Sequence, residues 1–130
     1  MRTFKKWFYA LICAGFVTAA LGTSPAYAAS IVVNSASDAV ANDGFCTLRE
    51  AITNANADNQ SGSTDCAAGS GADVITFAAD YTITLGSQLP AITSNITVNG
   101  NGAANTLIQA NAAPNTATYR VLEISAAGNL

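Results

Sequence analysis

The chain contains no histidine, and its five Lys and Arg side chains stand against eight Asp and Glu. Arg2, Lys5 and Lys6 crowd the extreme start, so beyond Ala28 only Arg49 and Arg120 are basic. Residues 29–130 therefore carry eight acids against two arginines, a net charge of −6. Such a surface repels phosphate backbones, which excludes a nucleic-acid partner. It suits solubility, and a cation such as calcium would not be out of place on it. Without His or Lys, the usual bases that activate a nucleophile are missing from this stretch. Cysteine is scarce as well: Cys13, Cys46 and Cys66 are all there is.

What is present begins with a leader. A positive start is followed by an apolar run from Trp7 to Leu21, short for a bilayer span. "TSPAYAAS" then supplies Ala26 and Ala28, the small-x-small pattern a signal peptidase reads. Residues 1–28 are thus expected to be a signal peptide, cut between Ala28 and Ala29, and the product to be secreted or held at the cell surface. A retained anchor is the weaker reading. A lipoprotein is rejected because Ile12 precedes Cys13 where a small residue is required. Removing the leader leaves Cys46 and Cys66, an even pair for an oxidising compartment, and a disulfide is favoured. Free thiols or half a zinc site are the alternatives, but the spacing matches no zinc motif.

Thr47 to Glu50 reads T-L-R-E, a capping box in which each end residue satisfies the other's backbone N–H. Leu48, Ala51, Ile52 and Ala55 follow at i, i+3, i+4 and i+7, one apolar face of a helix from about Leu48 to Ala57. Asn54, Asn56 and Asp58 are poor helix formers and end the pattern. Around the helix lie β-branched runs: "IVVN" before it, and "VITF", "YTITL", "NITVNG", "TLIQA" and "RVLEI" after a polar loop. "SDAVANDG" reads as a turn rather than a calcium loop, because Val40 falls where an oxygen ligand is required.

Short strands at this spacing fit an antiparallel sandwich, with Asn-Gly in "VNGNGAANT" marking a hairpin. They fit a parallel β-helix equally well, since the runs recur about one coil apart. The helix tips the choice, because a solenoid's open end needs a cap over its strand edges. The expected fold is mainly β: a capping helix followed by the first coils of a right-handed parallel β-helix. Residues 29–73 would form the cap and disulfide loop, and 74–130 the first coils. The edge near Leu122 and Ile124 would then be exposed and prone to aggregate.

"CTLREA" resembles the CSLREA signature, with Thr47 in place of serine, and "DGFCTLREAI", "GSGADVITFAADYTITL", "LPAITSNITVNGNG" and "NTLIQA" are similar to the same family. That domain lies near the start of large exported bacterial proteins, many of them parallel β-helices. The resemblance covers most of the chain from Ile31 onward and implies a structural signature with no catalytic residues. It also implies a longer protein, whose downstream coils would be this region's partner.

The residues singled out are accordingly structural: Cys46 and Cys66 as cystine, Thr47 and Glu50 as cap, Leu48, Ala51, Ile52 and Ala55 as the buried face. Arg49 is expected to make a salt bridge or a backbone-carbonyl contact. No catalytic, cofactor or metal residue is expected, because most acids sit in turn-like surroundings. The function expected is a non-catalytic capping region of an exported surface or secreted protein, engaged in adhesion or surface display toward a polysaccharide, host or cell surface. The alternative is part of a polysaccharide lyase or another carbohydrate-active enzyme, with Arg49 or Arg120 as its basic residue; fold analogy alone supports it weakly.

Overall fold

A computed structural model describes residues 27–130. Most of the signal-peptide reading therefore lies outside the described residues; of it, Tyr27 and Ala28 are seen, both exposed. The elements run β1 (Ser30–Val33), α1 (Leu48–Ala57), β2 (Asp73–Phe77), β3 (Tyr81–Thr84), β4 (Ile96–Asn99) and β5 (Thr106–Gln109).

Helix α1 starts where its local chemistry dictates. Thr47 is extended (φ −88°, ψ 162°), its side chain accepts from the Glu50 N–H, and Glu50 reaches back to the Thr47 N–H. The helix stops at Asp58, which takes the left-handed conformation (φ 51°, ψ 36°) and donates its N–H to the last-turn carbonyls of Asn54 and Ala55. Leu48, Ala51, Ile52 and Ala55 are all buried. They pack on the sheet side, so a ten-residue helix, marginal in isolation, is fixed by tertiary contact.

Strands alternate as a half-buried sheet requires. Ile31 and Val33 of β1 point inward, as do Asp73, Ile75 and Phe77 of β2. Every strand pair is parallel. In the first sheet, ordered β1-β2-β4, Ile31 lies opposite Ile75, and Ile75 opposite Val98. In the second, β3-β5, Ile83 lies opposite Ile108. Parallel neighbours need a crossover, and α1 occupies the one between β1 and β2. The "VNGNGAANT" segment is no hairpin, because β4 and β5 belong to different sheets.

The fold class departs from the expectation. No solenoid is evident and neither sheet closes; the described residues form a small mixed α/β domain of two small sheets and one helix. Two physical reasons account for the difference. The strands divide between two separate open sheets of three and two strands, and α1 supplies as much of the core as any strand does. Beyond Gln109 the chain turns rich in Ala and Asn, and "RVLEI" forms no strand; Ile124 makes a single bridge to Ile92. Without further paired strands there is no coil for α1 to cap, and it becomes a layer of the domain.

Ile75 sits at the centre of this arrangement, fully buried between Ile31 and Val98. Ile75→Ala is expected to cost about 3 kcal/mol, read from the midpoint of urea unfolding. Val32→Ala, on the opposite and 45% exposed face of β1, should change stability by less than about 0.5 kcal/mol.

Candidate functional site

The polar side chains of α1 are where this molecule concentrates its specific geometry. Glu50 is fully buried. Its Oε1 accepts from the Ala41 N–H at 2.8 Å, and its Oε2 from the Thr47 N–H at 2.9 Å. The Thr47 hydroxyl lies 3.0 Å from both Glu50 Oε2 and the Ala39 carbonyl, either of which can take its one hydrogen. A carboxylate taken out of water needs such donors, and the first turn of a helix adds a favourable dipole. The cap therefore ties the 39–41 segment to the helix start, a role wider than capping.

Arg49 makes both kinds of contact expected of it. Its Nε and Nη2 form a two-pronged pair with Asp38, at 3.0 and 2.8 Å. Nη1 and Nη2 also donate to the carbonyls of Gln88 (2.8 Å) and Ser87 (2.9 Å). Asp38 Oδ2 accepts in addition from the Gly86 N–H at 2.8 Å. One guanidinium thus joins the helix to the turn before it and to the 86–88 loop.

Two residues that sequence reasoning assigned to helix termination do similar work. Asn54 is fully buried and uses its whole amide: Nδ2 donates to the carbonyls of Ser63 (2.9 Å) and Ala67 (3.1 Å), while Oδ1 accepts from the N–H groups of Gly62 (2.7 Å) and Ser63 (3.3 Å). Asn56 donates to the Ala91 carbonyl and accepts from the Thr93 N–H, both at 2.8 Å. The loop that Asn54 binds lies directly on the helix. A Cβ on Gly62 would stand 2.7 Å from the Glu50 carbonyl oxygen, and one on Gly69 would strike the Asn54 carbonyl. The disulfide between Cys46 and Cys66 ties the same loop to the residue before the helix cap, with Cα atoms 4.8 Å apart. Its cross-link over 20 residues of sequence is worth about 3 kcal/mol in the chain-entropy model.

The "SDAVANDG" turn is likewise committed to internal bonds. Asn42 Oδ1 accepts from Ser63 Oγ (3.1 Å) and the Thr64 N–H (3.2 Å), and Asp65 accepts from the Gly44 N–H (2.8 Å). Among the described residues, no group of three His, Cys, Asp or Glu side chains could hold a metal ion. No described helix is long and apolar enough to cross a membrane. Two hollows exist. One of about 220 Å³ is walled by Leu48, Ile52, Leu89, Val98, Ile108, Val121, Leu122 and Leu130. A second, open one of about 370 Å³ lies over Phe77, Val98 and Ile108, beside Gly100 and Gly102. Neither lining includes a titratable side chain, so neither can move a proton.

No family model, curated protein or solved structure matches this chain. The geometry itself is thus the basis for a functional reading.

Stability changes should separate these roles. Thr47→Ala removes one cap acceptor and should cost about 1 kcal/mol. Glu50→Ala strands the buried donors of Ala41 and Thr47 and should cost about 3 kcal/mol, well above an ordinary cap. Asn54→Ala should cost a similar amount. Chemical denaturation of the three variants, with the disulfide intact, measures the order.

Proposed function

We propose that this chain is a non-catalytic structural module of an exported protein, secreted or held at the cell surface, whose work is adhesion or surface display. The observation that carries the reading is the commitment of Arg49. It is one of two arginines beyond Ala28, and its guanidinium is taken up by Asp38 and by the carbonyls of Ser87 and Gln88. A lyase that used it as a base would have to break the joint between α1 and two loops. The same holds for Glu50, whose carboxylate is enclosed by backbone donors. The small-x-small leader, the cystine and the resemblance of "CTLREA" to the CSLREA signature support export.

Expression of the full chain with its leader in an exporting host tests this reading. The product should be accessible to protease on intact cells or recovered in the medium, and should release no unsaturated sugar from polygalacturonate in the presence of calcium. Recovery confined to the cytoplasm would contradict export. Sugar release that disappears in Arg120→Ala would establish the lyase instead.

A further inference from the structure

Asp73 begins β2 on its inward face and is only 1% exposed. Its Oδ1 accepts from the Ala29 N–H at 3.0 Å and from the Ser70 N–H at 2.8 Å. Its Oδ2 is buried with no hydrogen-bond partner. A buried carboxylate oxygen without a donor is costly, and native structures hold few of them. The missing partner should be a donor beside Ala29 or Ser70, and preferably a cation.

Among the described residues, no other element supplies one. The strands flanking β2 are Ser30–Val33 and Ile96–Asn99, neither with a titratable side chain. Asp58, at the end of α1, is bound to Gly71, one residue from Ser70, and adds negative rather than positive charge there. Arg49 is paired with Asp38, and Arg120 is exposed.

Ala29 itself can become that cation. It directly follows Ala28, the last residue of the small-x-small pattern, and Tyr27 and Ala28 are exposed where a peptidase would bind them. Within an uncut chain the Ala29 nitrogen has one hydrogen, already given to Oδ1. Hydrolysis of the Ala28–Ala29 amide adds water across the bond: Ala28 leaves as a carboxylate, and the Ala29 nitrogen gains protons to become an ammonium. That group has three N–H donors and a full positive charge, and it stands 3.0 Å from the carboxylate before the cut is made.

We propose that Asp73 is a built receptor for the α-ammonium of Ala29, so that leader removal completes a buried ion pair and locks β1 onto β2. The proposal rests on the export reading above and adds to it a site that processing creates. Both oxygens of Asp73 are then satisfied, and the start of the processed chain is held by charge as well as by the strand ladder.

The sequence provides a clean probe. No lysine follows Lys6, so after the cut the α-amino group of Ala29 is the sole primary amine. The full chain is exported, its product identified by N-terminal sequencing, and its reaction with an amine-selective acylating reagent followed at neutral pH. Pairing with the carboxylate favours the protonated, unreactive form of the amine, so the reactive free amine should be about tenfold scarcer than in the unfolded chain. The folded product should therefore label about tenfold more slowly than the same product in denaturant, and Asp73→Asn should abolish the difference. A product that starts at Ala29 yet labels equally fast folded and unfolded would overturn the proposal and leave export standing. A product that still starts at Met1 would remove both. If Asp73→Asn does not fold, the wild-type product acetylated at its one amine and refolded decides instead: a melting point several degrees below that of the free amine supports the pair, and an equal one overturns it.

Discussion

A fully buried carboxylate, that of Glu50, sets the terms for the rest of this small domain. Taking that charge out of water is tolerable only if donors surround it, and those donors come from the Thr47 and Ala41 backbone, with the Thr47 hydroxyl beside them. Meeting that demand fixes the segment before α1, and with it Asp38. Asp38 in turn orients Arg49 toward the 86–88 loop. The helix is thereby pinned at its first turn before its apolar face is considered.

The remaining polar residues of α1 extend the same logic toward its end. Asn54 and Asn56 each offer an amide that can both donate and accept, the requirement for binding a loop's backbone on both of its hydrogen-bonding sides. Asn54 gathers the loop that the disulfide closes, and Asn56 gathers the 91–93 segment. With strands of four or five residues and open sheets, hydrogen bonds along the ladder are few. Side-chain bonds from the helix make up for them. One face of α1 is apolar and seals the core, while its polar residues bind the irregular half of the chain.

The sequence made some of this legible, for identifiable reasons. The bounds of α1, Leu48–Ala57, follow from a cap and an apolar stripe, both written within a few residues of each other. The Cys46–Cys66 bond follows from counting thiols. Positions of five strands were visible in β-branched runs. Their assembly was not. Short strands constrain pairing weakly, and the capping role assigned to α1 assumed coils that the segment after Gln109 does not form. Asn54 and Asn56 read as helix breakers by propensity, a local property, whereas their side-chain partners lie between 8 and 38 residues away. A pair of asparagines inside an otherwise regular helix is a signal that tertiary bonds override propensity there. The role of Asp73 is hidden for a similar reason, since an acid after Gly-Ser-Gly-Ala reads as a turn until its burial is known.

Native-state hydrogen exchange tests most directly whether α1 organises the domain through these bonds. The amides of Ala41, Thr47, Gly62 and Thr93 each donate to a side chain of the helix, and none belongs to a sheet. If the helix binds the loops as one unit, these four amides should exchange with the same opening free energy as the interior amides of α1, with protection lost together as denaturant is raised. Loop amides exchanging orders of magnitude faster than those of the helix would show that the loops open on their own, and would contradict the account.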